Sequence, residues 1–486
     1  MARLPVVNGD DGTWGDILND YLSQSHKSDG TLRDNAVTSN VLAPGSVSKA
    51  FVGLGNVDNT SDINKPISSA TQTALNAKQN TPTGTADGTK FLRDDNSWQP
   101  IPAATDATRT GVFQFEHPNS LLNVGPYAIS TRRPFSIPHA PGRFRVHIRN
   151  RDFLGDTDSN GSLSSFAMYI GEAVKDSNGE LTGATVASPV QIGSTTTLPG
   201  SGELTTAWIS PSTFQISPYK TYFLTYPINV ASGKNLAVGG GLHFYTTTPS
   251  DAAVANPAGL TRVDNQGVLD IYIEYEFADD LAPVVMFVGP SVVNGGNVGG
   301  VANRAELGAF PMLWAMREKG VAASLAIGGS WAAHYGASSA KWDYYNTLNA
   351  PLSVDAVQFF ALNSSDICAG TGSATVRANY INAINKARSL WPTARIIIST
   401  NPPRGDSTGT PETTRISENT WLATCPAGVN HCIEISAQVT DWASPERLRS
   451  IYAAAPPSAD IIHWSQAAHS LASNLIPVRY GAVQAA

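Results

Sequence analysis

The chain has 486 residues, room for about three domains of roughly 150 residues each. Only 15% of residues are charged, against roughly 25% in an average domain, and Ser, Thr, Asn, Ala and Gly take up the difference, as in β-rich, loop-rich proteins. The net charge of −7 offers no basic face for a nucleic acid, no apolar run reaches the roughly 18 residues of a membrane span, and the opening MARLPVVNGDDGTW lacks the charged start and apolar core of a secretory signal.

Residues 1–40 are polar except for Trp14, Ile17, Leu18 and Tyr21, whose spacing predicts one short amphipathic helix. Such a helix has too little apolar surface to stand alone. VGLGNVDNTSDINKPISSATQTALNAK (52–78) opens with glycine-rich turns and continues as a helix after Pro66. Its narrow stripe, Ile67, Ala70 or Thr71, Ala74 and Ala77, suits a multi-chain bundle. Turn-rich GTADGTKFLRDDNSWQ follows at 84–99. These two phrases resemble segments of bacteriophage tail fibres and minor tail proteins. The resemblance implies a virion-borne homotrimer attached to phage tail or baseplate proteins. Residues 1–105 are therefore expected to be a fibrous, oligomerising tail-attachment segment.

Residues 106–281 read as an all-β sandwich. In RFRVHIRN, Phe144, Val146 and Ile148 alternate with Arg143, Arg145, His147 and Arg149; LDIYIEYEF alternates in the same way. Strict period two predicts half-buried antiparallel strands. Trp208, Tyr219 and Tyr222 either stack on sugars or belong to the core.

From 282 to 486 the pattern changes to strand-helix alternation, which predicts a mostly parallel sheet covered on both faces. Strands are expected at Val284–Val288, Val321–Ile327, Ala356–Leu362 and Arg395–Ser399. Helices are expected near Ala302–Lys319, through Val376, Tyr380, Ile384 and Ala387, and near Gln466–Ile476. The first strand breaks at Gly289-Pro290-Ser291, so Ser291 stands at a strand's carboxyl end, where open α/β sheets place ligands. A serine hydroxyl needs a base to become a nucleophile. Of nine histidines, only His463 has an acid three residues before it, Asp460. That carboxylate can orient the imidazole toward a serine. Oxyanion donors are available at other strand ends: the backbone of Ser291, the Gly328-Gly329 pair and the Asn363 amide.

Ser, Gly, Asn and His in this order, each after a strand, resemble the SGNH (GDSL-type) hydrolase family over residues 282–486. The resemblance makes Ser291 the nucleophile and His463 the base, with Asp460 orienting it. Ser291, Gly329 and Asn363 become the oxyanion hole, with Gly328 the alternative to Gly329. Pro290 stands in place of the family's usual Asp, and Ala361 and Ser364 flank Asn363 where the family has Gly and Asp. The family implies a flavodoxin-like α/β/α fold, no metal or cofactor, and hydrolysis of esters. With the tail-like N-terminus, the expected substrate is an acetyl or acyl ester on a host cell-surface glycan or lipid, met by a virion tail at the bacterial surface without membrane insertion. The other reading is a non-catalytic receptor-binding protein that holds surface glycan. Three cysteines make no disulfide framework. Free thiols are the plain expectation, and a Cys425–Cys432 bridge fits only an oxidising compartment.

Overall fold

The computed structural model describes residues 2–37, 43, 45–48, 53, 68–78, 90–92, 98–100, 108–124, 127–241, 243–246, 259–263, 267–295, 305–406, 409–454 and 462–481. They fall into two compact units, Met1–Ile101 and Pro102–Ala486. In the first, α1 (Trp14–Ser23) forms where the apolar spacing predicts it, and none of its residues is buried. α2 (Ser69–Lys78) starts at Ser68, whose hydroxyl accepts from the Thr71 N–H at 3.1 Å. β1 (Lys90–Leu92) and β2 (Trp98–Pro100) pair antiparallel. Residues 54–67 and 79–89, which carry much of the tail-like wording, lie outside the described residues.

In the second unit, the strands between 108 and 278 pair antiparallel. β3 (Thr108–Gln114) lies beside β7 (Asp270–Ala278), followed by β5 (Arg143–Arg149) and a short strand at Leu204–Thr205. β4 (Pro118–Val124) pairs with β6 (Lys234–Gly239). A larger sheet is built around Leu163–Lys175, Tyr222–Val230 and Tyr127–Phe135. Phe144, Val146 and Ile148 join its apolar core. Of the three aromatics left open for sugar contact, Tyr222 is 2% exposed and belongs to that core. Trp208 lies beneath the guanidinium groups of Arg143 and Arg145, at 4.3 and 4.6 Å. Tyr219 is exposed.

The strand-helix alternation gives a five-stranded parallel sheet. β8 (Val284–Val288) is flanked by β9 (Val321–Ser324) and β10 (Ala356–Phe359); β11 (Arg395–Ser399) and β12 (His431–Ile433) follow outward. In chain order this is 2-1-3-4-5, the flavodoxin-like arrangement. All five residues of β8 are buried, as a central parallel strand requires. The longer helices are α3 (Phe310–Glu318), α4 (Ser373–Leu390), α5 (Thr410–Ala423) and α6 (Gln466–Leu475). α5 and β12 carry little periodic signal and were not expected. Where one helix was expected near Ala302–Lys319, Ala309 adopts an extended conformation just before Pro311 and starts α3 afresh. Cys368, Cys425 and Cys432 are free. Burial, with Cys425 beside it, pushes the Cys432 thiol up to about 12.

The outward row of β5 and β7 departs from the half-buried expectation. Asp270, Tyr272, Glu274 and His147 are all buried, because residues of the α/β stretch cover them. The Tyr344 hydroxyl donates to Asp270 at 2.8 Å, the Asn349 N–H donates to Glu274 at 2.8 Å, and the Tyr272 and Thr347 hydroxyls meet at 2.8 Å. The His147 ring lies between Glu203 and Glu274, with Arg149 on Glu203 and Arg145 on Glu274. Period two reported two faces correctly, but a polar face buries when another layer supplies partners for every charge.

This network sets an acid limit. Burial pushes the Glu203 carboxyl up, but the His147 hydrogen bond and the Arg149 charge outweigh it and hold the group down at about 2, from an ordinary 4.5. A depressed folded-state pKa contributes stability above the unfolded value and loses it as pH falls through the folded one. Thermal unfolding measured from pH 6 to pH 2 is expected to show a loss, on the order of 2 kcal/mol from this group, developing below pH 4.5. Glu203→Gln is expected to be less stable at pH 6 and to flatten that dependence.

Candidate active site

Just past β8, Gly289 runs so close to the end of β10 that no side chain fits. A methyl on Gly289 would lie 2.3 Å from the Phe360 carbonyl oxygen and 2.7 Å from Val293 Cγ2. Next comes a tight turn in which Val293 N–H donates to Pro290 O at 2.9 Å and Asn294 N–H to Ser291 O at 3.1 Å. Pro290 costs this turn nothing, since only its carbonyl is used. The Asn294 amide donates to Ala326 O at 2.8 Å, which ties the turn to the loop after β9. Ser291 is left partly exposed at the strand's carboxyl end.

His463 reaches it from the far end of the chain. Its Nε2 lies 2.7 Å from Ser291 Oγ, although the two residues are 172 positions apart. His463 is held from both sides: its carbonyl accepts from Ala454 N–H at 2.9 Å, and the Ser465 N–H donates to Tyr452 O at 2.9 Å. Ser465 caps α6 through its hydroxyl. Asp460 lies outside the described residues, as does the whole of 455–461. His469, one turn into α6, does not share the surface role. Burial, aided by the nearby His463, lowers its pKa to about 3, and its Nδ1 accepts from Phe310 N–H at 3.2 Å. It packs as a neutral ring.

The two strands beside β8 supply the other groups. Leu325 N–H and Ile327 N–H continue the β9 ladder onto Phe287 O and Gly289 O, at 2.8 and 3.0 Å. That carries Gly328 and Gly329 to the rim beside Ser291. A methyl on Gly328 would stand only 3.7 Å from Ser291 Cβ. Gly329 is exposed and has φ +77°, a conformation that favours glycine. On the other side, Phe360 N–H donates to Val288 O at 2.9 Å, and Asn363 follows at the carboxyl end of β10. Ala361 stands in the left-handed region, φ 47°, where a glycine would be unstrained. Asn363 is fully buried, yet neither Oδ1 nor Nδ2 has a hydrogen-bond partner among the described residues. An unpartnered buried amide costs about 1–3 kcal/mol. Asp366, on the short helix Ser364–Cys368 that Asn363 precedes, is buried with its carboxyl pushed up by that burial, and it accepts the Ala332 N–H at 2.8 Å. It anchors the loop that carries Gly329.

Three further residues border the site without having been singled out in the sequence. Asn119 Nδ2 would lie 3.2 Å from a methyl on Gly328, and Leu154 Cδ2 lies 3.7 Å from one on Gly329. Both come from the β-rich stretch. Trp331, two residues past Gly329, is 39% exposed. Among the described residues, no group of three or more His, Cys, Asp or Glu side chains is placed to hold a metal ion.

No protein-family model and no curated protein matches the chain. Solved structures show a distant likeness. A family two carbohydrate esterase from Cellvibrio japonicus is 13% identical over 76% of this chain and 96% of its own, with a TM-score of 0.30. A family two carbohydrate esterase from Clostridium thermocellum, in complex with cellohexaose, is 14% identical over 74% and 91%, with a TM-score of 0.33. A protein of the G-D-S-L family from Desulfitobacterium hafniense is 14% identical over 40% and 99%, with a TM-score of 0.31. Likenesses at this level carry no argument about the site, which stands on its own geometry.

Two substitutions are expected to move stability in opposite directions. Gly289→Ala forces a methyl onto the Phe360 carbonyl and is expected to destabilise by about 3 kcal/mol. Asn363→Leu removes an unpartnered buried amide and is expected to be neutral or to stabilise by about 1 kcal/mol. Chemical denaturation of the two variants beside the parent checks both signs.

Proposed function

We propose that the chain is a serine ester hydrolase of the SGNH type that removes acetyl or other acyl groups from glycans or lipids of a bacterial surface. The observation that carries this reading is the 2.7 Å contact between Ser291 Oγ and His463 Nε2 at the rim of a parallel sheet. His463 takes the hydroxyl proton as Ser291 Oγ attacks the ester carbonyl. Negative charge on the carbonyl oxygen is met by the N–H groups of Ser291 and Gly329 and by the Asn363 amide, a donor with no partner among the described residues to give up. The imidazolium then returns the proton to the departing alcohol. Water, deprotonated by the same ring, attacks the acyl-serine and releases the acid. Asp460, three residues before His463, is assigned the orienting role on its spacing. Acetylated glycan is the preferred substrate, because half-exposed Trp331 beside the Gly329 loop offers a flat face to a sugar ring.

The reading extends to a tail-borne, trimeric protein that meets its ester at the host surface, supported by the phrases at 52–66 and 84–99. Mass measurement of the purified chain in solution is expected to give three copies; a stable monomer would count against that part alone.

Hydrolysis of a chromogenic acetate ester tests the chemistry. Ser291→Ala and His463→Ala are each expected to lower kcat by at least about a thousandfold, with little effect on melting temperature. Equal rates in the parent and in Ser291→Ala would leave the non-catalytic, glycan-holding reading in its place.

A further inference from the structure

β4 and β6 pair residue for residue from Val124–Lys234 to Ser120–Val238, and the register then slips. Ser120 faces Val238 and Pro118 faces Gly239, so Asn119 stands between them opposite no residue. It is the extra residue of a β-bulge, a device that re-aims a side chain. The bulge is braced on both sides. His117 is fully buried, with Nδ1 2.9 Å from Asp270 and Nε2 3.0 Å from the Ser324 carbonyl at the end of β9. The Pro118 carbonyl accepts from Phe153 N–H at 3.0 Å. Lys341 Nζ, itself buried, donates to Leu154 O at 3.1 Å and pairs with Asp156 at 3.0 Å, so the neighbouring loop is fixed as well. From this rigid base the exposed Asn119 side chain reaches Gly328. A methyl there would lie 3.2 Å from Nδ2 and 3.7 Å from Ser291 Cβ. The carboxamide therefore stands across the width of one small group from the serine.

We infer that Asn119 is a substrate-binding residue, supplied by the β-rich stretch to the ester site of the α/β sheet. It recognises a hydroxyl of the alcohol half of the ester, next to the acylated oxygen. This rests on the ester-hydrolase reading for the identity of the site. The oxyanion donors proposed above belong to the serine's own strand and its neighbours, whereas Asn119 is exposed and comes from outside that sheet. A carboxamide presents donor and acceptor together, which matches the paired hydroxyls of a sugar and has no counterpart on a simple acyl chain. Its fixed bulge supplies the preorganisation that such recognition requires. The substrate class this favours is a partly acylated polyol or sugar, over a lipid ester whose alcohol carries no free hydroxyl.

Binding is measured in the Ser291→Ala protein, which holds the ester without turning it over. The probes are methyl glucosides carrying one acetyl group, titrated by NMR. Asn119→Ala is expected to weaken binding of the best probe about five- to tenfold, the value of one neutral hydrogen bond. Asn119→Asp keeps the size but loses the donors, and is expected to do the same. Melting temperatures of both variants are expected to stay with the parent, since the side chain is exposed. Binding within twofold of the parent in both variants, or no binding of any probe by the parent, overturns the inference. Turnover of the chromogenic acetate by the unmutated chain is scored separately. Its absence removes the ester reading, while a loss of glucoside binding on truncating Asn119 would still identify the sugar site.

Discussion

The second unit depends on the close pass of Gly289 against the Phe360 carbonyl. It lets β8 and β10 run abreast to their ends, so the strand carrying Ser291 stops level with its neighbours. A side chain at 289 would push the two strand ends apart. Gly328 and Gly329 follow one flanking strand and Asn363 the other, and the approach of Gly328 to the serine follows from that alignment. Three tied strand ends thus carry the candidate groups Ser291, Gly328, Gly329 and Asn363.

The second constraint is the joint between the β-rich and α/β stretches. Its β-rich side is built from charges: Glu203, Glu274, Asp270, His117, His147, Arg145 and Arg149 pair with one another, and Ser324, Tyr344, Thr347 and Asn349 of the α/β stretch hydrogen-bond onto them. Buried ions are a poor source of net stability, because each pays a desolvation cost that its partner only offsets. They are strict about geometry, however. A joint of this kind has one register, and a wall held in one register can place Asn119 and Leu154 over the glycines of the site. The same strictness makes the joint sensitive to acid.

Local costs collect around the serine. Ala361 occupies a left-handed conformation and Asn363 buries an amide without a partner. Each costs stability that the surrounding core must offset. Both lie within four residues of the end of β10, where unused hydrogen-bonding capacity can serve a reacting oxygen.

Much of this was legible in the residues. Apolar runs such as VVMFV and AVQFFAL announce strands buried on both faces, and their breaks at Gly-Pro-Ser and Asn mark where chemistry can sit. Ser291, Gly329 and Asn363 were singled out as candidates that way, because the end of an apolar run is a local signal, and His463 by the acid three residues before it. Other features have no local signal. α5 and β12 form because the sheet leaves room for them, not because their sequences insist. The polar face of RFRVHIRN reads as solvated until Tyr344, Thr347 and Asn349 arrive to bury it. Asn119 looks like any loop-side asparagine, since a bulge exists only relative to the partner strand. The sequence alone marked candidate groups and put Ser291, Gly329 and Asn363 past the ends of strands. Only the tertiary structure decided which of them meet, because distance between residues far apart in the chain is set by strand order and close packing, and neither is written in any single segment.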